Sequence, residues 1–219
     1  MTTDTPLQQA VALIHQGRAT EAVRLLEENQ ADLASQVLLR EWYIGEGEMD
    51  RAMPLVQRLA DGHGSEAHVS RSIYALAGGE LQTAVRECEN ALAFVPALAT
   101  AHNHLGRALH NMGRTEQALQ AFRNATQQQA DYPQAWQNLG HAMRAIGQMD
   151  DAVKAYRQAL SLAPGYRAAR LNLGVTLSLM EDPEAALACF ESVLAQEPQH
   201  VEARADTQRL PSHVWHQLQ

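Results

Sequence analysis

The sequence predicts an all-α solenoid, because three kinds of residue recur in register at an interval of 34. The recurring positions are the alanines Ala118, Ala152 and Ala186, the glycines Gly106, Gly140 and Gly174, and the aromatics Phe122, Tyr156 and Phe190. A repeat of this length holds two amphipathic helices and cannot bury its apolar faces alone, so it must stack on its neighbours. We therefore expect one elongated domain built from helix pairs.

The unit at residues 133–166 shows the pattern most fully. Apolar residues at helical spacing predict a first helix, and a small or aromatic stripe predicts a second. The two stripes are Trp136, Leu139, Met143 and Ile146, then Ala152, Tyr156 and Ala159. Gly147 breaks the first helix and Pro164 ends the second. Ala152 and Gly140 are small, which predicts that the two helices cross closely there.

The other units follow from this one. Residues 99–132 and 167–200 keep the pattern, whereas 65–98 and 33–64 keep only part of it, as does the first unit. The alanine spacing falls to 32 and then 30 in these upstream units. We count about six helix pairs, followed by a capping helix at 201–210. The predicted division is 1–64 divergent helix pairs, 65–200 regular array, and 201–219 capping helix and tail.

The residues of unit 133–166 closely resemble the tetratricopeptide repeat family. That family's pattern of Trp, Leu-Gly, a large residue, Ala, an aromatic, Ala and Pro falls on eight positions in register. These are Trp136, Leu139, Gly140, Met143, Ala152, Tyr156, Ala159 and Pro164. The resemblance implies a right-handed α-α superhelix whose first helices line a concave face, where ligands lie as extended peptides.

Composition and motifs exclude several function classes. The net charge of -8 argues against general nucleic-acid binding, which needs a basic surface. No apolar run approaches the roughly 20 residues of a membrane span, and the start lacks a basic secretory region. We predict a cytoplasmic protein, and the single lysine among 17 basic residues suggests a bacterial source. No metal-ligand or catalytic motif is present, so we predict no enzyme activity, no cofactor and no metal.

The predicted concave face carries hydrogen-bond donors and no acid in units 99–132 and 133–166. Asn138 and Asn172 also match the asparagine ladder of the resembled O-linked N-acetylglucosamine transferase, although His104 stands at that position one repeat earlier. Amide and guanidinium groups suit the backbone and carboxylates of an extended peptide. The predicted peptide-binding residues are Asn103, His104, Arg107, His110, Asn111, Gln137, Asn138, His141, Arg144 and Asn172.

The leading functional hypothesis is a protein-interaction module that binds an acidic peptide, more tightly as histidines gain charge toward pH 6. Two alternatives remain open. The chain could be the recruiting arm of a larger enzyme, since similar arrays precede glycosyltransferase, sulfotransferase and 2-oxoglutarate oxygenase domains. It could also form a homodimer or scaffold through apolar stripes on its surface. Alternatively, its 211–219 tail could cover the apolar stripe in unit 167–200. The predicted stripes are Leu171, Val175 and Leu179, and Val69, Ile73 and Leu76.

Overall fold

A computed structural model describes residues 5–30 and 32–211. Within those ranges the chain forms thirteen α-helices and no strand, as the sequence predicts. They are α1 Pro6–His15, α2 Ala19–Glu28, α3 Leu33–Gly45, α4 Met49–Ala60, α5 Ser65–Ala77, α6 Leu81–Phe94, α7 Ala99–Asn111, α8 Thr115–Gln128, α9 Pro133–Ala145, α10 Met149–Leu162, α11 Arg167–Leu179, α12 Pro183–Gln196 and α13 Val201–Arg209. Six helix pairs are thus followed by one single helix.

The turn inside each pair repeats one backbone device. In five turns a glycine adopts a φ of 75° to 80°, which only glycine adopts without strain. These glycines are Gly17, Gly47, Gly79, Gly113 and Gly147. In the sixth turn Glu181 takes this place with a φ of 62°. The turn therefore keeps its geometry even where the sequence lacks glycine.

The two helices of a pair approach closely at the glycines of the Leu-Gly motif. A Cβ atom built on Gly140 would lie 2.9 Å from the Tyr156 ring. The corresponding distances are 2.6 Å from Gly106 to Phe122 and 2.6 Å from Gly174 to Phe190. Ala152 is fully buried beside this contact. The predicted close crossing in unit 133–166 is confirmed.

The first two helix pairs curve back onto the later repeats. Trp42 of α3 contacts the ring of Tyr166, just before α11, at a centroid distance of 6.0 Å. One apolar cluster joins Ile14, Leu26, Leu39 and Trp42 to Ala159, Ala163, Tyr166 and Ala169. A Cβ atom on Gly45 would lie 2.7 Å from the Tyr166 hydroxyl, so the end of α3 lies directly against this region.

One predicted apolar stripe is wrong. Val69 and Ile73 of α5 are buried, with exposures of 0% and 1%, in a cluster with Val56. Helix α5 keeps the 34-residue register of α7, but these side chains pack against Val56, Ala91 and Ala101 and offer no surface for a second copy. The predicted shielding segment 211–219 lies outside the described residues, apart from Pro211.

Candidate functional site

Helix α3 covers part of the face that the sequence predicts to be an open groove. Its Arg40 and Glu41 are only 0% and 4% exposed and reach several first helices of later pairs. The Arg40 guanidinium donates to Glu41 at 2.9 Å, to Glu66 of α5 at 3.1 Å and to the Ser70 hydroxyl at 2.8 Å. A buried arginine is tolerated because its donors are satisfied in this way.

Glu41 connects α3 to α7 and to the residue that precedes α9. Its carboxylate accepts a hydrogen bond from His104 Nε2 of α7 at 2.9 Å and another from the Tyr132 hydroxyl. Burial opposes ionisation of Glu41, but the charge of Arg40 and the hydrogen bonds from His104 and Tyr132 outweigh it. The pKa of Glu41 is consequently held well below its usual range, and the carboxylate stays ionised inside the protein.

The protonation of His104 follows from its two neighbours. Arg107 donates to His104 Nδ1 at 3.2 Å, so Nδ1 accepts and the proton lies on Nε2, which faces Glu41. Burial lowers the pKa of His104, against the attraction of Glu41. His104 is therefore a neutral connector between Arg107 and Glu41.

These contacts correct the prediction for two of the peptide-binding residues. Asn103 and His104 are 1% and 0% exposed and cannot meet a ligand while α3 is in place. Asn103 donates to the Tyr132 hydroxyl at 3.1 Å and accepts from Asn138 at 2.9 Å. The sequence pattern predicts both side chains on the concave face, but it does not reveal that α3 of the same chain covers them.

The later turns of α7 and α9 remain accessible. The side chains there are half-buried, or exposed in the case of Asn111. They are Arg107, His110, Asn111, Gln137, Asn138, His141 and Arg144. Neither α7 nor α9 contains an aspartate or a glutamate. This surface, which we call the donor face, therefore combines two guanidinium groups with amides and imidazoles.

One histidine of the donor face, His141, does not supply the expected charge. His110 and His141 contact each other with ring centroids 5.0 Å apart. Burial, together with the nearby Arg144 and His110, lowers the pKa of His141 to about 4. His141 is thus neutral at pH 6, and the prediction that it gains charge there is wrong.

Asn172 is separated from the other predicted residues. Its amide donates to the Ala168 carbonyl of its own helix at 2.9 Å. It lines a groove of about 640 Å³ between the α3–α4 turn, α11 and α13, whereas Asn138 lines a smaller cavity of about 120 Å³ at the end of α3. Asn138 and Asn172 do not form a continuous ladder with free amides.

Sequence reasoning missed Arg40, Glu41 and Glu46, which join α3 to the later repeats. The signal that points to them is a pair of opposite charges inside the apolar run VLLREWYIG. Charged residues in such a run are buried only when they find partners elsewhere in the fold. No spacing rule identifies those partners, because His104 lies 63 residues and Tyr132 lies 91 residues from Glu41.

Comparison with known proteins now identifies the family. Models of the tetratricopeptide repeat match residues 7–28, 96–165 and 143–207. The chain belongs to the tetratricopeptide repeat family. No curated protein matches the sequence.

Solved tetratricopeptide structures share the fold. A chain of the APC/C hetero-tetramer Cut9–Hcn1 superposes with a TM-score of 0.65 and 19% identity over 93% of this chain, which spans 42% of that one. YrrB, a TPR protein with an unusual peptide-binding site, superposes with a TM-score of 0.58 and 20% identity. The match covers 84% of this chain and 96% of YrrB. A mutant O-GlcNAc transferase from Thermobaculum terrenum superposes with a TM-score of 0.57 and 25% identity. The match covers 60% of this chain and 26% of the transferase.

A membrane span and a metal site are both absent from the part of the chain that the structure describes. None of its helices combines the length and apolar character needed to cross a membrane. No group of three or more His, Cys, Asp or Glu side chains is arranged to hold a metal ion.

Proposed function

We propose that this tetratricopeptide protein is a cytoplasmic, non-enzymatic interaction module that binds an extended acidic peptide on the donor face. The observation that carries the proposal is the charge of α7 and α9, which have two accessible arginines and no carboxylate in a protein of net charge -8. Local charge opposite to that of the whole molecule favours a ligand that the rest of the surface repels.

The chemistry of the donor face suits such a ligand. Arg144 can bind a carboxylate through two parallel hydrogen bonds, and Gln137 can pair with both the N–H and C=O of an extended backbone. A structure with a peptide-binding site among the similar proteins, YrrB, supports this use of the fold. The proposed binding residues are now Arg107, His110, Asn111, Gln137, Asn138, His141 and Arg144.

A fluorescence anisotropy titration with a labelled, capped peptide of alternating aspartate and serine tests the proposal. Arg144→Glu should weaken binding about tenfold or more, because it replaces an attractive charge with a repulsive one. Added salt should weaken binding by the parent protein. Arg144 is preferable to Arg107 for this test because Arg107 also contacts buried His104.

Arg157→Glu is the matched control, since Arg157 is exposed on α10 and the net charge changes equally. Equal losses in both variants would show that only overall charge matters and would contradict the proposal. Unchanged circular dichroism in both variants ensures that a loss of binding is not a loss of fold.

A further inference from the structure

The groove of about 640 Å³ has properties opposite to those of the donor face. The apolar part of its lining, which we call the apolar floor, comprises Ile44 from the end of α3 with Leu171 and Val175 of α11. Val201, which is 78% exposed, stands at its edge. A cavity of this size and lining accommodates large apolar side chains from a ligand.

The rim of this groove is acidic. Four carboxylates line it and only one arginine does. The carboxylates are those of Glu46, Glu197, Glu202 and Asp206, and the arginine is Arg167. Arg167 is already engaged, because it pairs with Glu46 at 3.1 Å and with Glu197 at 2.9 Å. Asp206 pairs with Arg209 at 2.8 Å, and the net charge of the rim remains negative because Glu202 forms no ion pair within the described residues.

One oxygen of the Glu46 carboxylate is left unpaired among the residues that the structure describes. Its side chain is 6% exposed, and its Oε2 atom pairs with Arg167. Its Oε1 atom is buried and has no hydrogen-bond partner within residues 5–30 and 32–211. A buried carboxylate oxygen without a donor is costly, and the charge of Glu46 in the groove lining would attract a cationic ligand group bound in the groove.

We propose that this groove binds a basic peptide segment in which a large apolar side chain is flanked by arginine or lysine. The apolar side chain lies on Ile44, Leu171 and Val175, and the flanking cations meet Glu46 and Glu202. The proposal does not depend on the donor face, because the two surfaces have opposite charge and bind different segments.

Glu46 also makes this binding depend on pH. Burial raises the pKa of Glu46 to about 7, despite the attraction of Arg167, and Glu48 and Glu197 raise it further. A cation binds the ionised carboxylate, so the affinity should rise as the pH increases from 6 to 8. His200 also lines the groove. The pH dependence must therefore be compared between the parent and Glu46→Gln.

The test uses a labelled, capped peptide of alternating leucine and arginine in a fluorescence anisotropy titration. Glu46→Gln should weaken binding about tenfold and should flatten the rise between pH 6 and 8. Glu202→Lys should weaken binding about fivefold relative to Glu116→Lys, which makes the same charge change on the exposed start of α8. Arg144→Glu should leave binding of this peptide no weaker, which separates this proposal from the donor-face proposal.

Several results would overturn the proposal. Equal binding by Glu202→Lys and Glu116→Lys, or by the parent and Glu46→Gln, would reduce the interaction to general attraction by an acidic protein. Equal binding of a peptide with serine in place of leucine would exclude the apolar floor. Binding only after removal of residues 212–219 would assign the groove to the chain itself. A concentration-dependent mass in light scattering that Glu202→Lys abolishes would assign it to a second copy.

Discussion

The two ends of this solenoid are held by different kinds of contact. The repeats from α7 to α12 stack through small and aromatic residues, with Gly140 against Tyr156 as the typical pair. Helix α3 adds to its apolar contact with Tyr166 a buried polar network centred on Arg40 and Glu41, through which it meets later repeats. Apolar stacking tolerates many sequences of similar volume, whereas a buried ion network is stable only when every partner is present. The polar contact therefore specifies one closed arrangement.

The closed arrangement divides the concave face into two surfaces. Where α3 lies, Asn103 and His104 are buried, and beyond it the donor face remains accessible. On the other side of the α3–α4 turn lies the acidic groove with its apolar floor. A regular open array would present one continuous groove. Here the position of α3 separates a basic from an acidic surface.

Removing Arg40 should have the largest effect. Arg40→Ala leaves Glu41 buried without its guanidinium partner, and we expect the free energy of unfolding to fall by about 3–5 kcal/mol. Chemical denaturation followed by circular dichroism measures the loss. Arg24→Ala is the control, because Arg24 forms an ion pair with Glu28 at the surface, where such pairs contribute about 0–1 kcal/mol. Similar losses in both variants would mean that the polar network is not what holds α3 in place.

Glu46 should give the contact between the two ends a dependence on pH. Its pKa is raised from 4.5 to about 7, so the folded protein binds this proton more tightly than the unfolded chain does. The resulting stabilisation is complete below pH 4.5 and is lost as the pH rises through 7. Between pH 5 and pH 8 the free energy of unfolding of Glu46→Gln should therefore rise relative to that of the parent by up to about 3 kcal/mol. Denaturation curves at several pH values measure this, and a constant difference between the two proteins would contradict it.

The sequence predicts the regular array well but not the contact that α3 makes with later repeats. Helix pairs with a 34-residue interval were predictable because each apolar stripe repeats locally, and Gly140 and Ala152 occupy the crossing that their small size indicates. The face of α7 and α9 was also predictable from helical spacing. The burial of His104 was not, because it depends on Glu41, which lies 63 residues away on a helix of a divergent repeat. Local periodicity carries no information about which distant element covers a face.

Overpacking the regular array should cost less than breaking the polar network. Ala152→Leu adds a large side chain at a fully buried helix crossing, and we expect a loss of about 1–3 kcal/mol. Thermal unfolding followed by circular dichroism measures it. Ala188→Leu on the exposed face of α12 adds the same volume without a clash and should change stability little. If the two variants melt at the same temperature, the crossing at Ala152 is looser than the structure shows.

The smallest expected effect concerns the turn that differs from the other five. Glu181 holds a φ of 62° where the equivalent residues are glycines at 75° to 80°. A side chain in this conformation is strained, whereas glycine is not, although glycine also increases the entropy of the unfolded chain. We expect Glu181→Gly to stabilise the protein by about 0.5–1 kcal/mol, measured by chemical denaturation. Ala188→Gly within α12 should have the opposite sign, because glycine in an exposed helix interior costs about 1 kcal/mol. A loss of stability in Glu181→Gly would show that its side chain contributes more than its backbone strain costs.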